Sequence, residues 1–159
     1  MKEEIDRIID EQEKKLRFSS FSFDIVERIC SKVVQSVQQK GETGFVLARV
    51  NGLTVYARCL SGGSLNNEEW ARRKANLCER YGISSYHVVR RLESDGKTLA
   101  SCGMNDEDYG FSAGSFPILL TSGVCIGSIT FSGMSGEEDH QVVASQIAAE
   151  LDAHIPSVI

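Results

Sequence analysis

The fold is decided by a hairpin in residues 44–60, GFVLARVNGLTVYARCL. Two strand-like runs, 44–50 and 53–60, flank the dipeptide Asn51-Gly52. Asn-Gly favours a type I′ turn, because that turn needs a positive φ at both central residues. The pattern predicts two strands joined by a tight turn. Strands linked in this way pair antiparallel.

Two further hairpins are predicted downstream of this one. They lie at residues 86–102, around Asp95-Gly96, and at residues 116–132, around Ser122-Gly123. The first of them places His87 on the outer face of a strand. Pro117 is expected at the start of its strand or at a sheet edge, because proline cannot donate a ladder hydrogen bond. The sequence therefore predicts a mostly antiparallel sheet of five to six strands.

Helices are predicted on both sides of the hairpins. They cover residues 2–17, the stretch between Ser22 and Gly41, residues 67–81 and residues 137–154. The second has apolar residues at i, i+3, i+4 and i+7, and the last begins with a Ser135–Glu138 capping box. The narrow apolar stripe of 2–17 could pack on its own domain or on a partner subunit. No βαβ repeat occurs, so we predict an α/β (α+β) fold rather than a doubly wound one.

Composition restricts the function further. The chain has 159 residues, which suits one domain over 1–159, and a net charge of −5, which argues against nucleic acid as a partner. No apolar run reaches the roughly 20 residues that a membrane span needs. The start of the chain does not have the pattern of a secretory signal. The five cysteines form no C-x-x-C pair, which is typical of reduced thiols. These observations indicate a cytoplasmic protein.

Lys74 is the first candidate for a binding role. On a helical projection of 67–81 it falls within an apolar stripe that contains Trp70, Leu77 and Cys78, and Arg73 lies just beside that stripe. A lysine in such a position must snorkel, pair with a carboxylate, or line a pocket in which it holds an anionic ligand. The sequence leaves these alternatives open.

His140 and Asp139 are candidates on the last helix. His140 falls on the same face as Val143 and Ile147, one turn from the helix start, where a neutral imidazole is expected. It is either a core histidine or a metal ligand, haem ligand or base. Asp139 could meet Lys74 or Arg73 across the domain. The sequence has no nucleophile elbow, Walker A motif or zinc-ligand spacing, so we assign no catalytic residue and no metal site.

Three blocks of sequence recur together in a known family. They are GGSLNNEEW with Arg73-Lys74 and YGISS in residues 62–85, DYG with AGSFPI in residues 108–118, and SGM with EEDHQ in residues 132–141. In order and spacing the chain resembles a family of small uncharacterised cytoplasmic proteins. That family belongs to the haem-degrading-domain superfamily, alongside HbpS-like, GlcG-like and PduO C-terminal domains.

The resemblance implies a profilin-like α/β/α fold with a haem-degrading-like core over 21–154, preceded by a helical extension over 1–20. It also implies homo-oligomers built from dimers, and some relatives bind haem or a cobalamin-like tetrapyrrole. Relatives often have His-Gly-Gly where this chain has Ser112-Ala113-Gly114, which leaves His140 as the haem-ligand candidate. The candidate ligand-binding residues are Trp70, Arg73, Lys74, Ser84, Ser85, Gly114, Ser115, Glu138, Asp139 and His140.

Three functional hypotheses follow. In the first, the chain is a non-catalytic homo-oligomer that binds a small ligand or a partner protein. In the second, it is an enzyme or haem handler in which Lys74 and Arg73 hold propionates and His140 acts at the metal or as a base. In the third, the same residues form a structural polar network between subunits, as buried charges often do.

Overall fold

The computed structural model describes residues 1–159 and contains five α-helices around a five-stranded sheet. In chain order the elements are α1 (Lys2–Lys15), β1 (Arg17–Phe18), α2 (Phe23–Gln39), β2 (Phe45–Val50), β3 (Leu53–Cys59), α3 (Leu65–Tyr81), α4 (Ser85–Ser94), β4 (Ser115–Leu120), β5 (Cys125–Ser132) and α5 (Gly136–Leu151). None of the helices is both long and apolar enough to cross a membrane.

The sheet has the strand order β1-β4-β5-β2-β3. All neighbours are antiparallel except β1 and β4, which run parallel over two residues. At the deciding turn Asn51 has φ 50° and Gly52 has φ 80°, so the β2–β3 hairpin is confirmed. β1 pairs with β4 only at Leu119 and Leu120. At Pro117, β4 therefore has a neighbouring strand, β5, on one side alone, as expected for a proline. The predicted, mostly antiparallel sheet is therefore confirmed.

Helices cover both faces of the sheet because the side chains of its strands alternate. Along β2, Val46 and Ala48 join the main core with α2 and α5, whereas Phe45 and Leu47 pack against α3 on the other face. The face against α2 and α5 is apolar and contains the large side chains of the core. The α/β/α arrangement of layers follows from this alternation.

The predicted hairpin at residues 86–102 is wrong. Its first half is helix α4, and its second half contains a short 3₁₀ turn at Ala100–Cys102. The Ser84 hydroxyl caps α4 by accepting the His87 N–H at 3.2 Å, and Val88 and Leu92 pack one helical turn apart against Leu77. A short apolar run fits either period, and the cap decides for helix. His87 therefore lies buried on a helix and not on the outer face of a strand.

Helix α1 packs on its own chain. Ile9 is fully buried in a small cluster with Tyr86 and Ala113, and Leu16, just beyond the helix, enters the main core. Gln12 lies between them and is also fully buried. In the single chain α1 packs in cis, which is one of the two alternatives that the sequence leaves open.

The docking of α1 predicts different costs for two neighbouring isoleucines. Ile9→Ala removes a fully buried side chain and should lower the free energy of unfolding by about 2–5 kcal/mol. Ile8→Ala, at a partly exposed position on the same helix, should cost much less. Urea unfolding of both variants measures the difference. Equal losses would contradict the docking of α1 on this chain.

Candidate functional site

A cleft lies where α3 approaches the start of α5. Its volume is about 260 Å³. The lining residues are Asn67, Trp70, Lys74, Ser112, Ser132, Gly133, Met134 and Asp139. Three of the predicted candidates, Trp70, Lys74 and Asp139, are therefore brought together here. The other lining residues were not chosen as candidates from the sequence, because residues in loops and at the ends of helices and strands carry no periodic signal.

A buried ion pair lies at this cleft. The Lys74 ammonium donates to Asp139 Oδ2 at 2.7 Å and to the Phe131 carbonyl at 3.4 Å, and the two charged side chains are almost fully buried. The backbone N–H groups of Met134 and Gly133 donate to the Asp139 carboxylate at 2.9 and 3.4 Å. Of the two partners that the helical projections allow for Asp139, Lys74 and Arg73, the structure has Lys74.

Burial works against both charges of the pair. Desolvation lowers the pKa of Lys74 and raises the pKa of Asp139, since each charged form loses its hydration. In both cases the opposite charge of the partner counteracts the shift. Asp139 also lies in the first turn of α5, where the positive helix end favours a carboxylate.

Gly114 has no side chain, so the ammonium group of Lys74 can lie next to its backbone. Its φ is 133°, and a Cβ built on it would lie 2.6 Å from the Phe131 carbonyl oxygen and 2.9 Å from Lys74 Nζ. A side chain at this position would therefore meet the backbone of β5 and the ammonium group. The sequence leaves open whether Gly114 admits a ligand or a turn. The structure uses it for the close approach of the chain to Lys74.

Arg73 braces Trp70 and does not line the cleft. Its guanidinium carbon lies 4.0 Å from the centroid of the Trp70 ring, a cation–π contact, and it donates to the Asp106 carbonyl at 3.3 Å. Gly110 packs on the same pair, because a Cβ there would lie 3.2 Å from both side chains. Arg73 therefore helps to fix the orientation of the tryptophan ring.

Four further candidates do not line the cleft and instead form hydrogen bonds between elements of the fold or cap helices. Ser84 caps α4, the Ser85 hydroxyl accepts the Ser115 N–H at 3.1 Å, and the Ser115 hydroxyl accepts from Thr130 at 2.8 Å. This buried chain of hydrogen bonds ties α4 to β4 and β5. Glu138 closes the capping box of α5, and its hydrogen bonds with Ser135 lower its pKa.

His140 is sealed inside the protein. Its ring is fully buried between Tyr86 and Phe116, with centroid distances of 5.3 and 5.6 Å. Its Nε2 lies 2.7 Å from Gln12 Oε1, and Gln12 Nε2 donates to the Pro156 carbonyl, which fixes the orientation of the amide. Nε2 therefore carries the proton, and the buried Nδ1 has no partner. Burial lowers the pKa of His140 to about 3, so the ring is neutral.

The two α1 residues that form hydrogen bonds with His140 and His87 were not identified from the sequence. Gln12 and Glu13 are buried on α1, between Ile9 and Leu16. Their spacing from Ile9, three and four residues, puts them on the apolar stripe of the helix. Polar residues within an apolar stripe are the signal that could have identified them.

Comparisons with known proteins identify relatives of this chain. The family described as Haem degrading protein HbpS-like matches residues 21–148. A UPF0303 protein of Rhizobium rhizogenes is 35% identical over 141 residues, which cover 88% of this chain and 86% of that protein. The resemblance read from the sequence blocks is thereby confirmed.

Two solved structures share the fold. The crystal structure of the Ybr137w protein has a TM-score of 0.84 at 20% identity and covers 98% of each chain. The crystal structure of a PduOC:heme complex has a TM-score of 0.70 at 20% identity and covers 87% of this chain and 98% of that one. The predicted fold class, including helices on both sides of the sheet, is confirmed by these similarities.

The ion pair predicts a contrast between single and double variants. Lys74→Met leaves the Asp139 carboxylate buried without its cation and should cost about 3–5 kcal/mol of stability. Adding Asp139→Asn removes that charge but keeps an oxygen for the Met134 N–H, so most of the loss should be recovered. Urea unfolding measures both variants. Arg28→Met, which breaks an exposed pair with Glu150, is the control and should have little effect. Identical midpoints for the single and double variants would contradict a closed pair.

The sealed histidine predicts a pH dependence of stability. In the unfolded chain His140 is protonated below its ordinary pKa of about 6.5. In the folded protein it stays neutral down to about pH 3. The free energy of unfolding should therefore fall with decreasing pH across this window, by at most about 1.4 kcal/mol per pH unit. His140→Gln should remove this contribution, which urea unfolding of both proteins between pH 7 and 5 measures. Parallel pH profiles would mean that His140 is accessible to protons.

Proposed function

The chain belongs to the family of HbpS-like haem-degrading proteins, and on that premise we propose that it binds a small polar ligand without catalysis. The ligand occupies the cleft beside Lys74 and Asp139. The observation that carries the proposal is the buried ion pair at this cleft. Apolar side chains of the same volume stabilise a fold as well as a buried pair or better, so the charges indicate a role beyond packing.

The cleft favours a ligand with an oxygen acceptor. An ammonium group has three donors, and Lys74 uses two of them for Asp139 and Phe131, so one remains for the ligand. Asn67, Ser112 and Ser132 add amide and hydroxyl groups, and the Trp70 ring adds an apolar surface. The volume of about 260 Å³ is below the roughly 300–1,000 Å³ of drug-sized pockets. A small carboxylate or carbonyl compound fits these properties.

Binding without turnover agrees with the state of the ionisable groups. A general base must be within hydrogen-bond reach of the proton that it abstracts. The Asp139 carboxylate is almost fully buried and accepts three hydrogen bonds, from Lys74 and two backbone N–H groups. His140 is sealed behind Gln12. The groups that could move a proton are thus occupied or out of reach.

Haem is the second candidate ligand, because of the family description and because the PduOC structure is a heme complex. The residues of this chain do not fit haem ligation in the present fold. His140 is fully buried with Nε2 bonded to Gln12, and Ser112 lies in the loop where relatives often have histidine. The cleft is also smaller than a drug-sized pocket. Haem ligation by His140 would require α1 to leave its position.

Assembly of several copies and a cytoplasmic location complete the proposal. The outer edge of β3 has no neighbouring strand and carries the exposed Leu53. Such an edge can pair with another chain, and a homo-oligomer would cover it. The five cysteines are free thiols, as in a reducing compartment.

The single tryptophan of the chain, Trp70, lines the cleft and reports on its occupancy. We expect small carboxylates at millimolar concentration to change its fluorescence in a saturable way. The double variant Lys74→Met, Asp139→Asn should bind them at least about tenfold more weakly, because a charge-assisted hydrogen bond is lost. The matched control is Arg28→Met, Glu150→Gln, which removes an ion pair elsewhere. Equal responses of both double variants would contradict binding at the cleft.

Haemin belongs in the same series, followed by its Soret absorbance, with His140→Ala beside the wild type. A flat response is expected. A saturable, red-shifted Soret band that His140→Ala abolishes would replace the small ligand by haem and make His140 its axial ligand. Light scattering on the same samples gives the subunit number, and a monomer would contradict the oligomer.

A further inference from the structure

A second group of ionisable side chains lies away from the cleft, between α1 and α4. Asp10, Glu13 and His87 each offer one ligand atom, and these atoms all lie within 4.8 Å of one another. Glu13 and His87 are buried, whereas Asp10 is about half exposed. Two helices that are far apart in sequence therefore bring together two carboxylates and an imidazole, which are groups that bind transition metals.

The hydrogen bonds of Glu13 determine which ring nitrogen of His87 carries a proton. Glu13 Oε1 accepts the Ser84 N–H at 2.8 Å, and Glu13 Oε2 lies 2.8 Å from His87 Nδ1. An ionised carboxylate can only accept, so Nδ1 carries a proton and the lone pair of a neutral His87 is on Nε2. A carboxylate that orients a histidine through Nδ1–H while Nε2 binds a metal is a recurrent arrangement of protein metal sites.

The Nε2 lone pair faces a second acceptor. His87 Nε2 lies 3.6 Å from Asp10 Oδ1, too far for a hydrogen bond. With bonds of about 2.0–2.1 Å to a zinc ion, two ligand atoms at this separation subtend roughly 120°. This spacing accommodates a metal ion between the two atoms.

We propose that His87 and Asp10 bind a divalent transition-metal ion such as Zn²⁺, with Glu13 as the residue that positions His87. Imidazole selects these ions over Mg²⁺ and Ca²⁺, which prefer sites of oxygen ligands alone. This site goes beyond the proposed function, since it lies on other elements and shares no residue with the ligand cleft.

The surroundings suit a cation with water ligands. The site opens into a cleft of about 300 Å³, which leaves room for water to complete the coordination. Asp6, Asp95, Arg90 and Arg91 also line this cleft. Arg90 is paired with Asp6, which neutralises it. Together with Glu13 and Asp10 the cleft has four carboxylates against two guanidinium groups, so its net charge is negative.

A metal ion here would join α1 to α4. Asp10 is on α1 and His87 is on α4, so the ion would add a bond between the helices that Ile9 and Tyr86 already hold in contact. Binding to the folded protein alone stabilises it in proportion to the occupancy. The ion would thus hold in place the helix that seals His140.

Zinc titration of the full chain by calorimetry tests the site, with Mg²⁺ present in excess. We expect Asp10→Asn to weaken Zn²⁺ binding at least about tenfold, because a ligand is lost. Asp95→Asn is the matched control, since it removes the same charge from the same cleft but lies outside the ligand group. Any zinc held by the exposed thiol of Cys59 is common to all three proteins.

NMR of the imidazole nitrogens identifies the ligand atom. Zn²⁺ should shift His87 Nε2 while Nδ1 keeps its proton, and Asp10→Asn should reduce that shift at equal zinc concentration. Equal affinities of Asp10→Asn and Asp95→Asn would overturn the proposal, because the cation would then be held by the general charge of the cleft. A His87 ring that carries both protons with and without zinc would overturn it as well.

Discussion

The buried pair of Lys74 and Asp139 is the interaction that links the two helical layers of the fold. Lys74 is on α3, which covers one face of the sheet, and Asp139 is on α5, which covers the other. The pair connects them around the end of β5, where Gly114 leaves space for the ammonium group. A pair that joins two layers must be satisfied completely, because an isolated buried charge costs several kcal/mol. The Phe131 carbonyl and the N–H groups of Gly133 and Met134 provide the remaining hydrogen bonds.

Helix α1 is the second constraint, and its effect is chemical as much as structural. Gln12 and Glu13 are consecutive, and each is buried against a histidine. Gln12 occupies the Nε2 of His140, whereas Glu13 orients His87 so that its Nε2 stays open towards Asp10. The same helix therefore occupies the Nε2 of His140 and leaves the Nε2 of His87 without a hydrogen bond. This division could not be predicted from the α4 or α5 sequence, because the deciding residues lie more than 70 positions away.

Most of the fold could be predicted from local signals. Asn51-Gly52 specified its turn, Ser22 and the Ser135–Glu138 box began their helices, and Gly82 ended α3. The error at α4 arose because the apolar run in YHVVRRL is too short to separate the two periods. The Ser84 cap and the contacts of Val88 and Leu92 with Leu77 decide for a helix. That Asp139 would meet Lys74 or Arg73 could be foreseen from two helical projections, but the choice of Lys74 could not. The burial of His140 could be foreseen as well, but its partner on α1 could not.

The position of α1 also determines whether His140 can reach a metal ion. A histidine becomes a metal ligand when its lone pair reaches the metal, and the lone pair of His140 is on the buried Nδ1 because Nε2 donates to Gln12. Removing α1 alone would expose Nε2 and let the tautomer change, with no substitution on α5. Access of a metal ion to His140 in this chain therefore depends on the residue that α1 presents to it as much as on the histidine itself. In this chain that residue is a glutamine held by the Pro156 carbonyl, which favours the closed state.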